Sequence, residues 1–176
     1  MADNTTNNNV ANVSNGTVYG NKGAISDPNA TYIFGGTGIG IINIATNAFK
    51  GTGSSLTPIK HVVIGEEVEK INDAAFMYTQ LEDIQLPTTL KYIGGSAFNH
   101  TPNLKSITLY PGLIKIGSYQ FEGSGIKTIN FMGTYAQWSA IDKTDWKAGN
   151  SNTIRLVCKD ASYDVTGSGN GTYTRV

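Results

Sequence analysis

The sequence predicts a mainly β fold, a short solenoid of stacked coils, and three observations support this prediction. A pattern of apolar residues returns with a period of 22 to 23 residues. Each copy contains a short stretch in which apolar and polar residues alternate, as they do in a strand with one buried face. The stretches between are rich in turn-forming residues and too short for a regular helix. One copy cannot bury its apolar face alone, so successive copies must stack strand on strand.

The repeat is clearest in three full copies, which place apolar residues at six equivalent positions. The pattern begins again at Ile126, and Ile44 with Phe49 supplies a partial copy upstream, so we expect three to four coils. The six positions are Ile59, Val62, Ile64, Val68, Ile71 and Phe76 in the first copy, Leu81, Ile84, Leu86, Leu90, Ile93 and Phe98 in the second, and Leu104, Ile107, Leu109, Leu113, Ile116 and Phe121 in the third.

These residues resemble a known repeat family. The unit Ile-Gly-x-x-Ala-Phe, followed by Leu-x-x-Ile-x-Leu-Pro-x-x-Leu, is similar to the BspA-type leucine-rich repeat. The match is best from Leu81 to Phe98 and extends over about residues 44–131. The resemblance implies a leucine-rich-repeat β-solenoid. Gln120 stands where the family usually has Ala, and Asn72 where it usually has Gly; both fall at turn positions.

Two flanking segments resemble those that open and close such arrays. Residues 31–38 are similar to the opening strand and turn, which implies an N-terminal strand cap. Residues 133–141 include Trp138 and are similar to a closing short helix, which a final strand from Thr153 to Lys159 would follow.

The chain is expected to divide into three parts. Residues 1–30 form a polar, Asn-rich N-terminal arm that is either flexible or ordered as an assembly segment against a neighbouring subunit. Residues 31–160 form the repeat domain with its caps, and residues 161–176 form a flexible polar extension. The first residues lack the basic start and apolar stretch of a secretory signal, and no apolar run is long enough for membrane insertion. A natural leader replaced by Met1 would leave the same sequence.

Composition and residue spacing argue against several classes of function. The formal net charge is zero and no basic stripe is present, which excludes the usual nucleic-acid binder. The glycines of residues 35–40 fit neither the dinucleotide-binding nor the P-loop pattern, and no other cofactor motif is present. His61 and His100 have no partner at metal-ligand spacing, so we expect no metal site.

No catalytic residues are expected either. Cys158 lies on the inward face of an alternating strand, which favours a small buried hydrophobe over a reactive thiol. A paired-carboxylate site is conceivable in chemical terms, but a solvated face explains the acidic cluster better. That cluster comprises Glu66, Glu67, Glu69, Glu82 and Asp83.

Binding is expected on the exposed side of the stacked strands, where equivalent residues of successive coils form columns. Aromatic residues and Met are enriched in interfaces, so Tyr110 and Met132 are the most plausible contact anchors, although ordinary solvent-facing strand residues would look the same. The predicted columns hold His61, Asp83, Ser106 and Thr128, then Val63, Gln85, Thr108 and Asn130, then Tyr110 and Met132.

Two interpretations of function follow. The first is a non-enzymatic structural or adhesive module on the surface of a phage virion, binding capsid or tail proteins, itself as a homo-oligomer, or a host-surface protein or glycan. This interpretation rests on two observations: the repeat resembles those of bacterial surface proteins, and the sequence shows no recognisable secretory leader. The second is a portion of an exported bacterial surface adhesin, at the cell surface or secreted. An enzyme would require a pocket that the repeat does not offer.

Overall fold

A computed structural model describes residues 11–21, 25, 27–35, 38 and 40–176, which form a β-solenoid of about five turns. The predicted fold class is confirmed. In chain order the elements are β1 (Ala11–Ser14), β2 (Thr17–Asn21), β3 (Thr31–Phe34), β4 (Asn43–Ile44), β5 (His61–Ile64), β6 (Lys70–Ile71), β7 (Asp83–Gln85), β8 (Tyr92–Ile93), β9 (Ser106–Leu109), β10 (Lys115–Ile116), β11 (Thr128–Phe131), α1 (Tyr135–Ala140), β12 (Ile154–Val157), β13 (Ser162–Thr166) and β14 (Thr172–Arg175).

Each turn contributes a front strand and a shorter back strand. The front strands form two sheets, β3-β5-β7 and β14-β13-β12-β11-β9. The back strands form one sheet in the order β1-β2-β4-β6-β8-β10. Within each of these sheets, strands of successive turns pair in parallel, as β3 does with β5. The pairs β1–β2, β12–β13 and β13–β14 are antiparallel and close the two ends.

The solenoid has more turns than the three to four expected, because a turn forms at each end where the apolar pattern is incomplete. At the start, β3 and β4 pair with β5 and β6 as an additional turn. At the end, Lys115 forms a bridge with Asp142, and the Tyr119 N–H donates to the Asp145 carbonyl. Residues 141–148 therefore continue the back of the solenoid.

Both terminal segments contain paired strands within the described residues. In the stretch assigned to a polar arm, β1 and β2 form a hairpin, and β2 joins the back sheet with Val18 fully buried. In the stretch expected to be a flexible extension, β13 and β14 pair instead, because Val165 is buried and Tyr163 and Tyr173 pack against the core. The predicted assembly role of residues 1–10 lies outside the described residues.

A column of phenylalanine rings runs through the core. All eighteen apolar positions of the three full repeats are buried, as predicted. The ring of each repeat stacks on the next, with centroids 5.2 Å apart for Phe49 and Phe76, 5.9 Å for Phe76 and Phe98, and 6.4 Å for Phe98 and Phe121. The stack packs the centre of every coil against its neighbours.

Buried polar groups beside the rings are satisfied locally. The hydroxyls of Thr79, Thr101 and Ser124 each donate to the carbonyl of the Phe three positions earlier. Gln120, the departure from the family pattern, is fully buried rather than in an open turn. With its amide nitrogen toward Gly94, Gln120 donates to the Gly94 carbonyl at 2.8 Å and so joins two coils.

Two glycines explain the Ile-Gly step of the repeat. A Cβ on Gly117 would lie 2.3 Å from the backbone nitrogen of Gly95, and one on Gly94 would lie 2.5 Å from the backbone nitrogen of Asp73. At these two positions the backbone passes so close to that of the previous coil that no side chain fits between them.

We therefore expect Gly117→Ala to lower the free energy of unfolding by about 1–3 kcal/mol, because the backbones of two coils must move apart. Gly53→Ala is a matched control, since its nearest neighbour would be 3.8 Å away and the glycine has no positive φ. The control should change stability by less than about 0.5 kcal/mol. Urea unfolding of both variants tests the expectation, and equal losses would contradict it.

Candidate functional site

The front strands bring most of the predicted residues into columns, in two groups. In the first group, His61 pairs with Asp83 and Val63 with Gln85 across β5 and β7. His61 Nδ1 lies 2.5 Å from Asp83 Oδ2, so these two side chains form a hydrogen bond with each other. Outside the predicted set, Lys60 pairs with Glu82 at 3.3 Å.

The second group lies on β9 and β11. Ser106 pairs with Thr128, and Thr108 with Asn130. Tyr110 and Met132 follow the ends of these strands; Tyr110 is half-buried, whereas 44% of Met132 is exposed.

The columns continue beyond the predicted set onto β12. Arg155 lies beside Thr128, and Val157 beside Asn130. Sequence reasoning identified a final strand from Thr153 to Lys159 but did not extend the columns to it. Its outward residues could have been assigned from the same alternation that placed Cys158 inward.

The two groups are separated by a seam, which corrects the continuous columns predicted from the sequence. No backbone hydrogen bond joins β7 to β9, both of which are fully described. The turn before β9 has one residue more than its neighbours: Leu104 follows Phe98 by six positions, whereas Leu81 follows Phe76 by five. This turn also contains Pro102, which has no N–H to donate.

A shallow depression of about 430 Å³ opens between the ends of β9, β11 and β12. Met132 and Val157 are both partly exposed there, at 44% and 36%. The depression combines methyl and thioether groups with a hydroxyl, an amide and an ammonium group. Its lining residues are Thr108, Asn130, Phe131, Met132, Val157, Cys158 and Lys159.

Cys158 contributes little reactivity to this depression. Only 8% of the residue is exposed. Burial, and next the nearby Asp160 carboxylate, raise the pKa of the Cys158 thiol to about 11. The thiolate is the nucleophilic form, so the group is inert near neutral pH.

A larger groove of about 770 Å³ crosses the back turns, and three of its four charged side chains, all but Asp145, are already engaged. Asp73 accepts a hydrogen bond from the Gly95 N–H at 2.7 Å, and Lys115 pairs with Asp142 at 3.1 Å. Throughout the part of the chain that the structure describes, no cluster of three or more His, Cys, Asp or Glu side chains is placed to hold a metal ion. Within that same part, no helix has the length and apolar character to cross a membrane.

Hydrogen exchange should reveal the seam. Thr128 donates to the Lys105 carbonyl and Asp83 to the Lys60 carbonyl, each at 3.2 Å, but Ser106 at the equivalent position of β9 has no such acceptor on β7. We expect the Ser106 amide to exchange at least about tenfold faster than those of Thr128 and Asp83. Exchange measured by NMR tests this, and equal protection of the three amides would show that the ladder is closed.

Alkylation should report the state of Cys158. Because its pKa is raised from 9.0 to about 11, the thiolate fraction at pH 8 is about a hundredfold below that of an ordinary cysteine. The rate with iodoacetamide should rise as pH increases toward 11, since the thiol deprotonates there. Unfolding in guanidinium is the control and should restore ordinary reactivity; fast alkylation of the folded chain at pH 8 would contradict the assignment.

The chain is similar to known proteins in sequence and in structure. The crystal structure of a T. pallidum leucine-rich-repeat protein aligns with a TM-score of 0.45 and 16% sequence identity, over 72% of this chain and 72% of that one. No curated protein matches the chain. The model of the BspA type leucine-rich repeat region matches residues 37–141 in six copies. The chain therefore belongs to the BspA-type leucine-rich-repeat family.

Proposed function

We propose that the chain is a non-enzymatic structural or adhesive display module that binds another protein through its front strands. The observation that carries this proposal is the second group of columns, where outward side chains surround an open depression. Leucine-rich-repeat domains generally mediate protein–protein interactions, and the solenoid family is generally non-enzymatic. The shallow depression, with its inert thiol, supports binding rather than chemistry.

The proposed setting is the surface of a phage virion, where the chain acts as a decoration or fibre-like protein. BspA-type proteins are typically at the surface or secreted, and a polar chain with no net charge suits display in an extracellular medium. Its partners would be capsid or tail proteins, a second copy of the chain, or a protein or glycan of the host surface. The second candidate, supported by the same family, is a portion of an exported bacterial surface adhesin.

Antibodies raised against the folded chain distinguish the two settings. They are applied to particles purified from a lysed culture of the source organism and, in parallel, to washed intact cells. Labelling of particles by immunogold electron microscopy, with the protein co-purifying through a density gradient, is the expected outcome. Labelling of intact cells with none on particles would replace the virion by the bacterial surface. A pre-absorbed antibody is the control.

A further inference from the structure

The charges of the solenoid are balanced differently on its two groups of front columns. On the first group, Lys60 and His61 each contact a carboxylate of the next coil. The back sheet follows the same rule, with Lys91 paired to Glu69 at 2.6 Å. Paired columns of this kind leave little net field for a partner to sense.

The second group has cations without carboxylates. Lys105 donates only to the carbonyl of Pro102 at 2.6 Å. The ammonium groups of Lys127 and Lys159 form neither an ion pair nor a hydrogen bond with any residue that the structure describes, and these two lysines bond only through their backbone. Arg155 is the exception, because it pairs with Asp164 at 2.7 Å.

Lys159 lies on the rim of the depression, beside the exposed Met132 and Val157. The neighbouring Asp160 forms no ion pair with Lys159, and its Oδ1 accepts the backbone N–H of Tyr135 at the start of α1, 2.8 Å away. Lys127 immediately precedes β11, five residues before Met132, about 16 Å at the rise of a strand. The apolar patch thus has the Lys159 ammonium group beside it and that of Lys127 at the opposite end of β11.

We propose that this depression binds an acidic segment of a partner protein, with one apolar side chain on Met132 and Val157 and flanking carboxylates on Lys159 and Lys127. The unpaired lysines indicate the class of partner, because uncompensated cations beside an apolar contact favour an anionic partner. The hydroxyl of Thr108 and the amide of Asn130 supply hydrogen bonds to the segment. The inference rests on the proposed binding function and names the class of partner.

A second copy of the chain is a poorer occupant than a different protein. Nearly every carboxylate among the described residues is already engaged within its own chain, as for Glu66 with Thr88 and Glu122 with Asn99. Asp145 is the one described carboxylate whose oxygens have no hydrogen bond or ion pair. A second copy would therefore have to give up contacts of this kind before its carboxylates could reach the depression of a neighbour.

The test uses the full chain and a fluorescein-labelled peptide in which one leucine is flanked on both sides by glutamates. Two matched peptides replace the leucine by serine or the glutamates by lysines. Fluorescence anisotropy at low salt should show binding of the first peptide alone, and added salt should weaken it. Lys159→Glu should weaken it roughly five- to tenfold, and Met132→Ser by about fivefold.

Two variants control for charge and for apolar surface. Lys50→Glu makes the same charge change at an exposed lysine that does not line the depression, and Ile114→Ser alters a half-exposed apolar residue near the back sheet. Neither should change peptide binding. Equal binding of the lysine peptide, or no effect of Lys159→Glu, would overturn the inference.

Two further results would also overturn it. Co-sedimentation with phosphatidylserine vesicles, without peptide binding, would assign the patch to a lipid surface. Formation of a dimer that Lys159→Glu abolishes would make a second copy the occupant. Failure of the peptide test leaves the particle labelling unaffected, so the two proposals fail separately.

Discussion

The stacking of one phenylalanine per coil on the next is the contact on which the rest of the solenoid depends. The back strands β4, β6, β8 and β10 contain only two residues each, so their hydrogen bonds alone cannot hold a coil in place. The rings of Phe49, Phe76, Phe98 and Phe121 form an unbroken column, and Phe34, from the same turn as Phe49, stacks on its first ring with centroids 4.6 Å apart. The column fixes the separation of the coils, and this separation in turn requires glycine at Gly94 and Gly117.

The column must end, and the C-terminal strands are what close it. Trp146 meets Phe121 edge-on at 6.1 Å and Trp138 at 5.7 Å. The indole N–H groups of both residues donate to partners in the last part of the chain. Trp138 donates to the Tyr173 hydroxyl, and Trp146 donates to the Asn170 carbonyl. The cap therefore extends through β13 and β14, and the last residues of the chain belong to it.

A buried lysine adds to the same closure. Lys147 is fully buried and donates to the carbonyls of Asn150 and Gly167, which joins the last turn to the connection between β13 and β14. Burial lowers the pKa of its ammonium group. No carboxylate accompanies it among the described residues, so backbone carbonyls alone stabilise the charge.

Periodicity predicted the inward residues, because burial is what the apolar spacing encodes, whereas the family resemblance implied the short helix around Trp138 and the final strand. The two-residue back strands could not be predicted, since they are too short to show alternation. The strands after residue 161 were missed because the Gly- and Thr-rich composition around Tyr163 and Tyr173 is typical of flexible segments. Lys147, a charged residue in the core, has no apolar signal at all.

The candidate site was predictable only in part for a related reason. Outward positions follow from inward ones, so eight of the ten column residues lie on the strands expected, and Tyr110 and Met132 directly follow the ends of β9 and β11. The sequence showed that the period varies between 22 and 23 residues. The resulting loss of pairing between β9 and β7 could not be predicted, because it depends on the relative position of two coils. The depression could not be predicted from the repeat, because Val157 and Lys159, which help to line it, lie outside the repeat.

The seam gives the solenoid a direction in which it bends. Across the same coils the back sheet is continuous from β6 through β8 to β10, so parting the coils at the back breaks backbone hydrogen bonds. Parting them at the front breaks none between β7 and β9. Thermal motion should therefore tilt the two halves about the back sheet as a hinge. A ligand long enough to contact both halves would select one angle from this ensemble, and its affinity would include the free energy of holding the hinge at that angle.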